Sequence, residues 1–380
     1  MHMKQNVKKA LIPVFFLTGG LALGIYSTAA ANICISKQQQ QLAGERWGEN
    51  TVQLSCFLSE TDGLTPQEIT SLRETLDAGT AQSTGITAWY DAYSCTGKEV
   101  QAYGTKRTAK NAELILVSEH YFRIHTGTLL SGNYLTDAGI SAQLVFLEEE
   151  AAWNLFGSCD VAGMEIILEN RICQVAGVAE FPGGEEDDLP GIYMLYSDYI
   201  AGAEAAPSVT CYEAVLPDPV EGYGRGVFTD AMEGLLSPTR FPEDEKTTRQ
   251  YHIVQNTGRF SASGLWDYLR HITDYTVHTK AIAYPDFENA ALRTLHHAAM
   301  LLLLKAAGFV MAGMALIGGC MLFRREIKRE ILRLMKYQKQ LFHKKHIQEV
   351  IQNEKDTKNS IHPDSVRHAH DDALRMHAGK

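Results

Sequence analysis

The stretch "AAMLLLLKAAGFVMAGMALIGGCMLF" (residues 298–323), followed at once by "RREIKREILRLMKYQKQLF" (324–342), decides the architecture. The first part is 26 residues long and carries one charge, Lys305. A helix needs roughly 20 apolar residues to cross a bilayer core, so 298–323 reads as a membrane span. Lys305 sits near the start of it and reads as snorkelling to the outer interface, because 306–323 still supplies most of a span. From Arg324 to Lys345 there are nine Lys and Arg against Glu326 and Glu330 alone. Basic flanks mark the cytoplasmic side, which places Arg324 and Arg325 inside.

A second apolar run, "ALIPVFFLTGGLALGIYSTAAA" (10–31), has no charge and is preceded by Lys4, Lys8 and Lys9. The two ends therefore agree: both termini cytoplasmic, the middle outside. A cleavable signal sequence shares this outline, with small residues at 29–31, but 22 apolar residues exceed the usual 7–15 of such a core, which favours an uncleaved anchor. Small residues Gly308, Ala312, Gly313, Gly318 and Gly319 would let another helix approach the second span closely.

The chain has 380 residues, a net charge of −10 and 45% hydrophobic residues. It is too apolar for a disordered protein and long enough for one or two cores. The charge is segregated, with two basic ends and a middle of about −20. The expected organisation is a cytoplasmic N-terminus (1–9), a first span (10–31), an extracytoplasmic domain (32–297) and a second span (298–323). A basic amphipathic helix (324–352) and a disordered tail (353–380) follow. Of the seven cysteines, Cys56, Cys95, Cys159, Cys173 and Cys211 fall outside, Cys34 at the membrane edge and Cys320 within the second span. No CxxC pair exists, which leaves zinc without support. Cys56–Cys95 is the expected bridge.

The middle reads as α+β. "LTPQEITSLRETLDAG" (64–79) is a helix with Thr65 as N-cap, Pro66 at its first position, Glu68 completing a capping box and Gly79 beyond its end. "ITAWYDAYSC" and "KEVQAYG" read as strands joined by a hairpin turn at Thr96–Gly97. "AELILVS" is a strand, "EHYFRIHTG" a helical turn, and "AQLVFL" a buried strand leading into the helix "EEEAAWNLFG". "GMEIIL" and "RICQVAGVAE" form a hairpin around Glu169–Asn170. "GIYMLY" and "VTCYEAVL" add strands, and "SASGLWDYLRHI" a helix capped by Ser261 or Ser263.

"LTPQEITSLRETL", "ILVSEHYFRIHTGTLLSGNYLTDAG", "AQLVFLEEEAAWNLFG" and "VAGMEIILENRICQVAGVAEF" occur in that order. Together they resemble the extracytoplasmic core domain of MacB/FtsX-type ABC transporter permeases. Tyr121–Phe122, Gly127, Leu130, Gly132, Leu155–Phe156–Gly157 and Gly177–Val178 occupy the family's positions, and Asn133 stands where Arg is usual. In these permeases a basic segment after the span leads towards the ATPase subunit, and Arg324, Arg325, Ile327, Lys328, Arg329, Leu332 and Arg333 are similar to it. The resemblance implies a cytoplasmic ABC ATPase partner. The family continues into two more spans, so a reduced two-span permease or the front part of a split one is expected. A further permease subunit or a second copy would then complete a pathway.

Read from its residues alone, 324–345 forms an amphipathic helix with Ile327, Ile331, Leu334, Gln338 and Leu341 on one face. Such a helix suits anionic lipid, at about 1 kcal/mol per basic residue near the surface. The resemblance implies that the same helix also docks against the ATPase.

Catalytic signatures are missing. There is no GxxxxGK[ST] loop, GxSxG or HExxH, so ATP hydrolysis belongs to a partner and no cofactor is expected. No nucleic-acid partner is expected either. "GYGRG" (222–226) reads as a flexible turn. The acids of "GGEEDD" (183–188) suit Ca²⁺ but lack the EF-hand order, and read as a solvated loop. His362, His368, His370 and His377 read as part of the polar tail. "YPDFENAALRTL" (284–295) carries aromatic residues suited to the membrane interface. The rival from another class is a two-span binding or sensor protein without transport.

Overall fold

The computed structural model describes residues 2–38, 46–48, 50–84, 89–105, 108–136, 143–181, 189–201, 205–236, 249–272, 282 and 284–360. The acidic loop at 183–188 and the four tail histidines lie outside the described residues. The chain divides into two compact units, Leu23–Ala306 and Met1–Ala22 with Ala307–Lys380.

The strands in chain order are β1 (Thr51–Leu58), β2 (Tyr90–Ser94), β3 (Lys98–Tyr103), β4 (Ala109–Val117), β5 (Thr128–Gly132) and β6 (Leu144–Glu148). They continue as β7 (Glu165–Leu168), β8 (Arg171–Glu180), β9 (Gly191–Leu195), β10 (Cys211–Pro217) and β11 (Tyr251–Gln255). The helices are α1 (His2–Ser36), α2 (Pro66–Thr84), α3 (Tyr121–Ile124) and α4 (Glu149–Phe156). After them come α5 (Tyr196–Ile200), α6 (Tyr223–Leu236), α7 (Ala262–Arg270) and α8 (Asp286–Ser360).

Within Leu23–Ala306 the strands follow the order β11-β1-β10-β2-β4-β3-β7-β8-β6-β9, and β5 pairs with β8. β9 also pairs in parallel with β4. That pairing closes a ring of six strands, β4-β3-β7-β8-β6-β9. The antiparallel ribbon β11-β1-β10-β2 is joined to this ring through the single Ser94–Val117 pair. Closing a ring removes exposed edges that would otherwise recruit other strands. Leu54, Cys56 and Leu58 of β1 share a core with Leu72 and Leu76 of α2 and Phe228 and Met232 of α6. The opposite face of the same strand presents Gln53, Ser55 and Phe57.

Several elements form for local reasons. Thr65 and Glu68 make the expected capping box: the Thr65 amide donates to Glu68 Oε2 at 2.9 Å and the Glu68 amide to Thr65 Oγ1 at 3.3 Å. Ile69, Leu72 and Leu76 are all buried. Arg73 fixes the helix to the sheet by donating to Asp91 through Nε (2.6 Å) and Nη2 (3.1 Å). The Tyr212 hydroxyl donates to the same carboxylate at 3.0 Å. Glu169 and Asn170 take φ of 48° and 65°, the left-handed pair that a two-residue hairpin turn needs. Gly157 ends α4 at φ 75°, as αL helix ends require. Ser261 caps α7, accepting from the Gly264 amide at 3.1 Å.

Three sequence expectations are corrected. Gly79 does not follow α2 but lies within it, where a Cβ would come 2.6 Å from Val227 Cγ1 of α6; its hydrogen lets the two helices touch. Thr96–Gly97 is not a hairpin turn. β4 takes the place between β2 and β3, pairing with β3 in the register Lys98↔Leu114. "GYGRG" is not a flexible turn, since Tyr223–Gly226 opens α6. The Asp218 carboxylate accepts there from the Gly224 amide at 2.9 Å and the Gly222 amide at 3.3 Å, satisfying donors that a helix start leaves unpaired.

Among the described residues, two helices are long and apolar enough to cross a membrane, Leu11–Ser36 and Asp286–Gln348. α8 continues to Ser360, so 353–360 are helical where the sequence suggested the start of an irregular tail.

Candidate functional site

The start of α8 is built into the β-rich domain. Pro285 fixes the entry to α8, and its carbonyl accepts from the Glu288 and Asn289 amides at 2.9 and 3.0 Å. Asp286 and Glu288 occupy the first turn, where negative charge suits the helix dipole. Phe287 sits between two rings of the domain, with centroids 6.3 Å from Phe57 and 4.3 Å from His125. Tyr284 meets Phe57 edge-on at 5.3 Å, and its hydroxyl lies 3.0 Å from His252 Nδ1. Glu288 is fully buried. Arg259, in the turn after β11, donates to it through Nη1 (2.8 Å) and Nη2 (2.7 Å). Tyr284 and Phe287 therefore pack into protein, which corrects their expected role as lipid-interface aromatics.

Beside this attachment lies a buried polar chain. Asn256 Nδ2 donates to Ser55 Oγ at 2.7 Å, and Ser55 Oγ to Glu213 Oε1 at 2.7 Å. Glu213 Oε2 is hydrogen-bonded to His125 Nε2, and Tyr121 stacks on the imidazole at 4.3 Å. The chain links the residue after β11, strands β1 and β10, and the residue after α3. Buried polar groups joined in this way fix one arrangement, because each member is costly to leave unpaired.

In the other unit the two apolar helices approach through glycine. A Cβ on Gly20 would lie 2.5 Å from the Gly308 carbonyl and 2.9 Å from the Ala312 nitrogen. Backbones this close are the usual reason for small residues in spans. A Cβ on Gly319 would lie 3.5 Å from Pro13 Cβ, whereas one on Gly313 or Gly318 would meet nothing within 4 Å. Part of the small-residue stripe thus serves the chain's own first helix.

Arg324, Arg325, Ile327, Lys328, Arg329, Leu332 and Arg333 all lie on α8, and all are exposed. Arg329 pairs with Glu326 at 2.8 Å and Arg333 with Glu330 one turn away. Ile331, Leu334 and Leu341 are exposed as well, so the apolar stripe is uncovered in this chain.

Cys56 and Cys95 are free and buried; the expected bridge is not formed. Strand β10 separates them, because Cys56 pairs with Tyr212 and Cys95 follows Ser94, the partner of Cys211. Two strand spacings amount to roughly 9–10 Å, beyond the ~7 Å that a disulfide spans. Burial pushes both thiols up, Cys95 to about 12. Among the described residues no group of His, Cys, Asp and Glu could hold a metal ion.

Sequence reasoning missed the Arg259–Glu288 pair. One signal was available: Glu288, Ala291, Leu295 and Ala298 fall on one helical face, and an acid on an apolar face calls for a buried partner.

The pattern of the MacB-like periplasmic core domain matches residues 13–220. The chain belongs to that family, the non-catalytic permease components of ABC transporters, which work with a cytoplasmic ATPase. The match ends before β11, α7 and the Glu288 attachment. Among solved structures, the periplasmic region of MacB from Actinobacillus actinomycetemcomitans is similar at 17% identity and a TM-score of 0.40, covering 59% of this chain and 94% of that one. The extracellular domain of the ABC-type transporter YknZ from Gram-positive bacteria is similar at 14% identity and a TM-score of 0.37, covering 54% and 100%. No curated protein matches the chain.

Proposed function

We propose that the chain is a permease-type subunit of a MacB/FtsX-like ABC transport system, with ATP hydrolysed by a separate cytoplasmic subunit. Residues 32–297 lie outside the cytoplasm and both termini inside. Arg324, Arg325, Ile327, Lys328, Arg329, Leu332 and Arg333 form the surface that meets the ATPase, with anionic lipid close to the first of them. A further permease subunit or a second copy takes part in the pathway.

The observation that carries this reading is the attachment of α8 to the sheet. Phe287 is held between Phe57 and His125, and Glu288 is bound through two hydrogen bonds to Arg259. A displacement of the helix then reaches β1, β10 and β11 instead of being absorbed in a loose linker. The work is mechanical; no bond is made in this chain.

The test is purification of the tagged chain from native membranes, alongside a variant with Arg324, Arg325, Lys328 and Arg329 reversed to Glu. The native chain brings an ABC ATPase with it, and the variant inserts in the membrane but does not. Recovery of the native chain without any ATPase would instead favour a binding or sensor protein.

A further inference from the structure

The outward face of α7 has no role in the attachment described above. Its inner face, Leu265 and Tyr268, shares a cluster with Leu295, Ala298 and Ala299, against which Leu302 and Ile35 also pack. Tyr268 Oη lies 3.3 Å from His296 Nδ1. The helix is thus level with the first turn of the apolar run 298–323. Its other face presents Ser263, Trp266, Asp267, Arg270 and His271, all exposed. Trp266 is 50% exposed, and the Arg270 guanidinium stands 5.9 Å from its ring centre.

We propose that α7 is a lipid-docking helix, which seats Trp266 and Arg270 in the phospholipid headgroup layer at the Ala298 end of the span. The proposal rests on the reading of 298–323 as a bilayer span. Indole rings favour the membrane–water boundary, where the apolar body and the N–H both find suitable surroundings. A guanidinium beside the ring matches the phosphate oxygens of the same layer. Asp267 turns to His271 Nδ1 at 3.6 Å, which leaves Arg270 as the outward cation. The charge pattern points the same way. Residues 32–297 carry about −20 and are repelled by anionic lipid, so a cation at the point of contact offsets that repulsion.

The full chain is reconstituted in vesicles of phosphatidylethanolamine and phosphatidylglycerol that contain a phospholipid nitroxide-labelled next to the headgroup. Quenching of tryptophan fluorescence is compared between the native chain and Trp266→Phe, an exposed position that tolerates the change. The native chain is quenched, and Trp266→Phe loses most of that quenching. Equal quenching of the two, in protein that resists alkaline carbonate extraction, would overturn the docking while leaving the span intact. Extraction of the native chain by carbonate would remove the span reading and the docking together.

Discussion

Arg259 and Glu288 meet through two parallel hydrogen bonds, Nη1 to Oε2 at 2.8 Å and Nη2 to Oε1 at 2.7 Å. Their side chains are 6% and 1% exposed. A pair so deeply buried repays its desolvation only while both partners are present. Glu288→Leu takes both of these hydrogen bonds and the opposite charge away from the buried guanidinium, at a cost of about 3–5 kcal/mol. The double replacement Arg259→Met with Glu288→Leu recovers much of that loss. Chemical denaturation of the three proteins checks the ordering, and equal losses for the single and double variants would contradict it.

Stability falls at acid pH partly through Glu68. Burial pushes its carboxyl up, but hydrogen bonds from the Thr65 amide, Arg249 and the Thr65 hydroxyl outweigh this and hold it below its usual 4.5. A carboxyl depressed by folding stabilises fully above its unfolded value and loses that contribution as pH drops through the folded value. The native chain therefore loses more stability below about pH 4.5 than Glu68→Gln does. Urea midpoints over this range test the point, and parallel profiles would exclude it.

All seven cysteines react with maleimide once the protein is unfolded without reductant. Before unfolding, Cys56, Cys95 and Cys211 stay unlabelled, because they are buried and burial raises their thiols. Mass spectrometry counts the additions. A shortfall of two after unfolding would show a bridge.

Gly20→Val destabilises the pairing of the spans, whereas Gly313→Val does not. The first places a branched side chain against the Gly308 carbonyl and the second meets nothing within 4 Å. Overpacking of this kind costs about 1–3 kcal/mol. Thermal unfolding in detergent separates the two, and identical behaviour would argue against the contact.

Much of the fold was legible because its signals are local. The Thr65–Glu68 box, the Glu169–Asn170 turn and the Ser261 cap each depend on a few adjacent residues, and each is present in the structure. The two apolar helices followed from length and composition. What stayed hidden depends on residues far apart in the chain. β4 enters between β2 and β3 because its partners are decided by the closure of the six-strand ring, which no turn residue encodes. Gly79 resembles a helix stop until Val227 comes to lie against it. The start of α6 relies on Asp218, four to six residues upstream of the amides it caps, within a glycine-rich run that discouraged a helix reading. Of the candidate coupling surface, the basic run from Arg324 to Arg333 was visible as charge. The attachment at Glu288 was not, since Arg259 and Phe57 are brought to it only by the folded sheet.

The proposed topology puts residues 32–297 outside the cytoplasm and the basic run that starts at Arg324 inside. Its most direct test is labelling with a membrane-impermeant maleimide, in a chain whose Cys34, Cys159 and Cys320 are replaced by Ser. Two exposed positions are compared, Glu221→Cys and Lys339→Cys. Glu221→Cys is labelled in cells whose cytoplasmic membrane is intact, and Lys339→Cys only after that membrane is opened. Labelling of both from the same side, or in the reverse order, would contradict it.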